Sequence, residues 1–245
     1  MSLISAANWL GLLSTRGLYQ ACSQLIMPNS RPNSTPNTIA TAFAGLALLD
    51  AYESTRDEQL LALATGTGEF FLHHVPQTED GDGAFFGYLA GDRTPIHNAN
   101  TLVCALLARL SKHADRDEMR RAAEAGLRWT VGLQRPDGSW PYGERPHLGW
   151  VDNFHTGYVL DSLIYSSDAG VDVDGGAALE RGLDYYRHAL FLDDGTPKYL
   201  ADSIYPIDSQ CLAQGIHTMA LAGSRFPACR EFAWTVFDFA QRGKY

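Results

Sequence analysis

The chain contains 245 residues, of which 45% are hydrophobic and 19% are charged, and this composition excludes an intrinsically disordered protein. Its 19 basic and 28 acidic residues give a net charge of −9 without a basic patch, so nucleic acid and anionic membrane surfaces are not expected partners. The length suits one large domain or a repeat array better than two full domains.

The first predicted element is an apolar helix between Leu3 and Met27. The N-terminus lacks the basic leader and the small-residue cleavage site of a signal peptide, and Arg16 interrupts it before a membrane span could form. The four cysteines form no CxxC pair and no short-range disulfide framework. These features predict a cytoplasmic protein without a transmembrane segment.

An internal repeat begins after residue 35. Residues typical of helix N-caps recur at Asn37, Asn98, Asn153 and Asp208, which are 61, 55 and 55 positions apart. An apolar helix of about four turns follows each of them, and after a short break comes a more amphipathic helix. Each repeat is therefore predicted to be a helical hairpin.

The two helices of each predicted hairpin differ in charge. The first carries almost no charge after its first turn, whereas the second has one charged face, as in residues 117–134. This asymmetry predicts an inner and an outer layer, the arrangement of an all-α, α/α-toroid fold. We expect one toroid domain over 1–245, with a divergent helix and loop over 1–35 and four hairpins over 36–245. Four hairpins leave open whether the ring is closed, is an open arc or is completed by a partner chain.

A second periodic element lies between the hairpins, where Asp-Gly turns are followed by aromatic residues, as in Pro136–Tyr142. The loops and the starts of the inner helices should then lie at the same end of the array. The polar first turns of the inner helices are therefore expected to converge on one funnel mouth, where helix N-termini favour hydroxyl-rich or anionic groups.

The predicted funnel mouth contains residues suited to acid/base chemistry and to sugar binding. Asp152 and His155 are three positions apart and share one helical face, where a carboxylate beside an imidazole forms an acid/base pair. The predicted catalytic residues are Asp152, His155, Tyr142 and Glu144. The predicted substrate-binding residues, which offer polar groups to sugar hydroxyls and aromatic faces to sugar rings, are His97, Asn98, Asn100, Trp140, Asn153, Tyr158, Tyr199, Asp208 and Gln210. The alternative is that Asn98, Asn153 and Asp208 only cap helices.

Metal and cofactor binding is not expected. The chain has no HxxxH, CxxC or HxxEH spacing, although His97 and Asp208 beside the Asp152–His155 cluster remain a weaker alternative as an Asp/His/His metal-binding set.

Two groups of motifs resemble known toroid families. The run Gln134–Trp140 is similar to the QW repeat of terpenoid cyclases and protein prenyltransferases, in which Gln and Trp tie one hairpin to the next. A larger set of motifs resembles the α/α-toroid proteins encoded with bacterial exopolysaccharide and capsule clusters, and it comprises residues 97–100, 137–142, 150–158, 197–199 and 205–208. The second resemblance implies a role in polysaccharide biosynthesis or modification. It also implies a glycan, a sugar nucleotide or a lipid-linked sugar as partner.

Three functions remain open. The first is a carbohydrate-active enzyme, such as an epimerase, a lyase or a glycoside hydrolase, that acts on a uronic-acid or amino-sugar glycan. The second is a non-catalytic glycan-binding or assembly component that uses the same residues. The third, a terpenoid cyclase-like enzyme, is disfavoured because the funnel-mouth positions are polar and the acidic run at Asp172–Asp174 lacks a further Asp.

Overall fold

A computed structural model of the chain describes residues 37–75, 77–113 and 116–243. The predicted helix between Leu3 and Met27 lies outside these residues. Within them, loops, one β-hairpin and one 3₁₀ turn at Pro146–Leu148 connect eight α-helices. The elements are α1 (Thr38–Thr55), α2 (Glu58–His74), β1 (Thr78–Asp80), β2 (Gly83–Phe85), α3 (His97–Ser111), α4 (Asp117–Gly132), α5 (Asn153–Asp168), α6 (Gly175–Ala189), α7 (Ser209–Ala222) and α8 (Pro227–Gln241).

The helices pack as consecutive pairs: α1 with α2, α3 with α4, α5 with α6 and α7 with α8. The first helices of the pairs also pack in order from α1 through α3 and α5 to α7, while α4 contacts both α2 and α6 in a second layer. These two layers confirm the predicted all-α toroid fold. Among the described helices, α1 and α7 do not pack along each other, so the eight helices form an open arc. None of the eight has the length and hydropathy needed to span a membrane.

The burial of α3 and α4 explains the difference in charge between inner and outer helices. Every residue of α3 from His97 to Leu110 is buried, because the helix is surrounded by α1, α4 and α5. By contrast, α4 buries Met119, Ala123 and Leu127 on one face and leaves its charged residues on the other. The apolar positions of α4 recur every four residues, as expected for a helix that packs on one side only.

Two of the four predicted N-caps are confirmed. Asn37 Oδ1 accepts hydrogen bonds from the amides of Ile39 at 2.8 Å and Ala40 at 3.3 Å. Asp208 caps α7 through its Oδ1, which accepts the amide of Gln210 at 2.8 Å. In both cases the side chain satisfies amides that have no partner within the first helical turn.

The other two residues, Asn98 and Asn153, lie near the N-cap position rather than at it. Asp152 caps α5 in place of Asn153, which is the first residue of the helix. The residue before α3 is Ile96, which makes no side-chain cap, and Asn98 is the second residue inside the helix. The first amide of each of these helices donates to a loop carbonyl, His97 to Tyr142 and Asn153 to Tyr199.

The loops are joined to the inner helices by a recurring backbone hydrogen bond. The first amide of three inner helices donates to the carbonyl of a tyrosine in the loop that follows the same hairpin. The bonds are Thr38 to Tyr88 at 3.1 Å, His97 to Tyr142 at 3.1 Å and Asn153 to Tyr199 at 3.2 Å. Each of these three hairpins therefore holds its own loop at the N-terminal end of its inner helix.

The motif that resembles a QW repeat connects the second hairpin to the third. Gln134 Nε2 donates to the carbonyl of Ala178 on α6 at 2.8 Å and to that of Gly138 at 3.0 Å. Trp140 is buried against α6, and its indole N–H donates to the carbonyl of Thr130 at 2.8 Å. The two side chains thus link neighbouring hairpins, as the sequence resemblance predicts.

Asp161 is a buried carboxylate between inner helices α5 and α7. Its Oδ2 accepts a hydrogen bond from Gln214 Nε2 at 2.6 Å, whereas the buried Oδ1 has no partner among the described residues. Burial raises the pKa of Asp161 to about 6, although the nearby His217 opposes the shift. Desolvation therefore makes the ionised form of Asp161 costly at neutral pH.

The substitution Asp161→Asn should change the pH dependence of stability. The folded state binds the Asp161 proton more tightly than the unfolded chain does, so the wild-type protein loses stability as the pH rises from about 4 to about 6. Asparagine cannot ionise and still accepts from Gln214. The free energy of unfolding of the variant, relative to wild type, should therefore increase by about 2–3 kcal/mol between pH 4 and pH 7.5. Urea unfolding measures this difference, and a pH-independent difference would contradict the assignment.

Candidate functional site

Asp152 and His155 form a hydrogen-bonded pair at the N-terminus of α5. Asp152 Oδ1 accepts the amide of His155 at 2.9 Å, and Oδ2 lies 2.7 Å from Nδ1 of the same residue. The Asp152 side chain is 4% exposed, whereas that of His155 is 24% exposed. Because a carboxylate can only accept, this network assigns the Nδ1–H tautomer to neutral His155. Nε2 is then left as the atom that can exchange a proton.

Two aromatic side chains support this pair. Trp150 Nε1 donates to Asp152 Oδ2 at 3.2 Å, and its indole stacks on Tyr142 with ring centroids 4.9 Å apart. The Tyr142 ring also lies against His155 at 4.6 Å. Trp150 is 41% exposed and offers an accessible ring face, whereas Trp140, the tryptophan predicted to bind sugar, is only 2% exposed. The position of Trp150 two residues before Asp152 is the sequence signal that could have identified it.

A second imidazole–carboxylate pair is formed by His97 and Glu144. His97 Nε2 lies 2.8 Å from Glu144 Oε1, its Nδ1 lies 3.4 Å from Thr130 Oγ1, and its ring stacks on Trp129. Burial lowers the pKa of His97, although Glu144 opposes the shift, and the hydrogen bond from His97 lowers the pKa of Glu144. His97 is therefore a neutral donor to an ionised Glu144 at physiological pH.

The Asp152–His155 pair and His97 line a narrow space, the inner cavity, with room of about 10 Å³ for a water-sized group. It brings together six of the predicted site residues, which come from α3, α5 and the loop between α4 and α5. The residues that line the inner cavity are His97, Asn98, Trp140, Pro141, Tyr142, Asp152, His155, Thr156 and Val159. The cavity is large enough for a hydroxyl group or a similar substituent, but not for a sugar ring.

Asn98 contributes an unsatisfied acceptor to the inner cavity. Its Oδ1 atom is buried and has no hydrogen-bond partner in the described part of the protein. Buried polar atoms are usually paired, and a missing hydrogen bond costs about 1–3 kcal/mol. Asn98 is therefore suited to accept a hydrogen bond from a ligand hydroxyl.

Two other predicted asparagines connect inner and outer helices. Asn100 Nδ2 donates to the carbonyl of Gly126 at 2.8 Å. Asn153 Nδ2 donates to the carbonyl of Leu190 at 2.9 Å, and its Oδ1 accepts the hydroxyl of Tyr186 at 3.0 Å. Both residues are fully buried, and these bonds are internal to the fold.

The remaining predicted residues do not line the inner cavity. Tyr158 is half-buried on α5, with its ring centroid 6.4 Å from that of His155. Tyr199 accepts the amide of Asn153 through its backbone carbonyl. Asp208 is the α7 cap, and Gln210 is an exposed residue of that helix.

An open cleft, the outer cleft, lies beside the inner cavity and shares Tyr142 with it. It has a volume of about 630 Å³, within the range typical of small-ligand sites. Burial raises the pKa of Tyr142 to about 12, so the shared phenol stays protonated at neutral pH. The residues that line the outer cleft are Tyr88, Leu89, Ala90, Gly91, Asp92, Thr94, Ile96, Tyr142, Arg145, His147 and Leu148. Apart from Tyr142, none of them is among the predicted catalytic or substrate-binding residues, although the Tyr88 loop was expected at the funnel mouth.

Solved structures of several sugar-active enzymes share this fold. The chain is similar to unsaturated glucuronyl hydrolase from Bacillus sp. GL1, with 15% identity and a TM-score of 0.63 over 80% of this chain and 60% of that one. It is also similar to cellobiose 2-epimerase from Bacillus thermoamylovorans B4167, with 11% identity and a TM-score of 0.67 over 86% and 61% of the two chains. A third similar structure is a GH76 α-mannanase from Bacteroides thetaiotaomicron, with 16% identity and a TM-score of 0.59 over 85% of this chain and 57% of that one.

The chain thus spans 57–61% of the length of these three proteins. The TM-scores show a common fold and confirm the predicted toroid. At such low sequence identities the similarity shows the fold alone. No protein-family model matches the chain, and no curated protein matches its sequence.

The variants Asn98→Ala and Asn100→Ala should differ in stability. Asn98→Ala removes an unpartnered buried acceptor and should lower the free energy of unfolding by no more than about 1 kcal/mol. Asn100→Ala leaves the amide of Phe86 and the carbonyl of Gly126 without this partner, so a loss of about 2–3 kcal/mol is expected. Urea unfolding of both variants provides the measurement. Equal losses would mean that Asn98 is also part of the structural network.

Proposed function

We propose that the protein is a carbohydrate-active enzyme that modifies an acidic or amino-sugar glycan at the mouth of the toroid. The observation that carries this proposal is the Asp152–His155 pair, in which a buried carboxylate orients a partly exposed imidazole beside a cavity lined by polar and aromatic groups. Its position at the N-terminal end of an inner helix, next to the exposed face of Trp150, supports a sugar as the substrate. The sugar-active enzymes that share the fold support the same class.

In the proposed mechanism, His155 Nε2 is the general base and Asp152 holds the ring in the productive tautomer. Asp152 also stabilises the imidazolium that forms when His155 accepts a proton from the substrate. Tyr142 contacts the His155 ring and remains protonated. It can therefore donate a proton to the leaving-group oxygen in a lyase reaction, or to the sugar carbon in an epimerase reaction. Trp150 provides the stacking surface, and Asn98 Oδ1 accepts a sugar hydroxyl.

This arrangement favours a lyase or an epimerase over a glycoside hydrolase. Most glycoside hydrolases use two carboxyl groups on either side of the scissile bond. Both carboxylates near the inner cavity are already hydrogen-bonded to imidazoles, Asp152 to His155 and Glu144 to His97. A base and a protonated phenol are the groups needed to remove and return a proton at a sugar carbon.

The biological context that we propose is polysaccharide biosynthesis or modification. Its support is the sequence resemblance to toroid proteins encoded with exopolysaccharide and capsule clusters. A sugar nucleotide or a lipid-linked sugar is an alternative form of the substrate in that context.

A non-catalytic glycan-binding component is the second candidate function. The small volume of the inner cavity favours it, because a space of about 10 Å³ admits a substituent but not the ring that would react. Binding that persists in the absence of any turnover would identify this alternative.

Replacement of His155 tests the catalytic proposal. His155→Ala should lower turnover of an acidic or amino-sugar glycan by about 10²–10⁴-fold, the usual contribution of a positioned acid/base group. Turnover is followed by NMR in D₂O, where epimerisation introduces deuterium at the reacting sugar carbon and β-elimination gives the alkene proton signal of an unsaturated sugar. Asp152→Asn should also lower turnover, because the amide no longer selects the Nδ1–H tautomer.

The matched control is His188→Ala. His188 and Asp184 form another histidine–aspartate pair with atoms 3.5 Å apart, but their side chains are 66% and 79% exposed on outer helix α6. This variant should retain wild-type turnover. A folded His155→Ala protein with unchanged turnover would exclude the proposed base.

A further inference from the structure

Arg145 gives the outer cleft a group suited to binding an anion. Its Nη2 donates to the carbonyl of Arg93 at 3.3 Å, and it forms no ion pair with a carboxylate in the described ranges. His147, which is exposed in the turn Pro146–Leu148, lines the same cleft. An arginine without a carboxylate partner can bind an external carboxylate through two parallel hydrogen bonds.

The outer cleft also has a group that disfavours anions. Asp92 lines it, and its Oδ1 accepts the amide of Thr94 at 3.1 Å and the Thr94 hydroxyl at 2.7 Å. The second oxygen of Asp92 can accept a sugar hydroxyl but would repel a negative charge. A sugar with one acidic substituent therefore has a preferred orientation, with the acid at Arg145 and hydroxyls at Asp92.

The loop that carries Arg145 is held firmly in place. The Tyr142 amide donates to the carbonyl of Trp150 at 2.7 Å, and the Gly143 amide donates to that of Leu148 at 3.0 Å. A Cβ atom on Gly143 would lie 2.6 Å from the carbonyl oxygen of Pro95, so this close approach requires glycine. The backbone that carries Arg145 is thus positioned before a ligand arrives.

Tyr142 joins the outer cleft to the site of the proposed reaction. Its ring contacts His155 and Trp150, and the same residue lines both the inner cavity and the outer cleft. A glycan chain that passes over Tyr142 would place one sugar unit beside His155 and the adjacent unit beside Arg145.

We infer that the outer cleft is a subsite for an anionic sugar unit, with Arg145 binding its carboxylate while Tyr88 and Tyr142 contact its ring. The inference rests on the proposed function, because the reacting unit of the same chain is assigned to His155. It narrows the substrate to a glycan with a carboxylate on the unit next to the one that reacts.

Isothermal titration calorimetry with two matched probes tests this subsite. Tetragalacturonate and its methyl ester have the same sugar backbone, but only the first carries negative charge. Wild-type protein should bind tetragalacturonate about tenfold more tightly than the ester. Arg145→Ala should remove this preference. Arg128→Ala, which deletes an exposed arginine of α4 that is not part of the cleft, should retain it.

Two further probes identify the chemical source of the charge. A sulfated carrageenan tetrasaccharide, which carries sulfate but no carboxylate, and inorganic phosphate should each bind more weakly than tetragalacturonate if the site selects a carboxylate on a sugar. Stronger binding of either would overturn the carboxylate assignment. The subsite itself is excluded if tetragalacturonate, tetramannuronate and a hyaluronan tetrasaccharide all bind without a contribution from Arg145.

Binding to His155→Ala separates this inference from the proposed catalysis. An Arg145-dependent preference that persists in this variant, together with absent turnover in wild type, would refute the enzyme and support the subsite. Turnover that depends on His155 but not on substrate charge would support the enzyme and refute the subsite.

Discussion

The backbone hydrogen bond between the first amide of an inner helix and a tyrosine carbonyl of the following loop determines the geometry of the site. Residues Tyr88 and Tyr142 are two of the three acceptors, and their loops form the two sides of the outer cleft. The helix N-terminus presents amides without intrahelical partners, so a loop carbonyl there satisfies a need that every inner helix shares. The arrangement of the loops at the funnel mouth therefore follows from the bond that ties each loop to the start of its inner helix.

The sequence predicted the fold well because helix pattern and period are local properties. An apolar stripe on one face identifies an outer helix, and an apolar surface all round identifies an inner one. The spacing of the repeats then gives the order of the helices. Residue roles within one turn were less predictable. Asn98 and Asn100 lie two positions apart on α3, yet the first lines the cavity and the second bonds to α4. The rotation of α3 against its neighbours decides between these roles, and that rotation is a tertiary property.

The tryptophans show the same division between local and tertiary information. The Asp-Gly turn and the aromatic residues after it predicted Trp140 as a sugar-binding residue. The fold instead buries Trp140 as a link between hairpins. Trp150 is the exposed ring, and it approaches Asp152 because the loop folds back between Tyr142 and Trp150. The spacing between Trp150 and Asp152 suggests that they are close in space. The loop pairing that exposes Trp150 and buries Trp140, however, depends on contacts with the preceding hairpin.

The pairing of residues 142–150 with each other and with Pro95 has a consequence for binding kinetics. A mouth whose rings and charges are ordered in the free protein loses little conformational entropy when a ligand binds. Encounter should then lead directly to the bound complex, without a slow rearrangement that limits association. Differences in affinity among related glycans would consequently arise in the rate of dissociation.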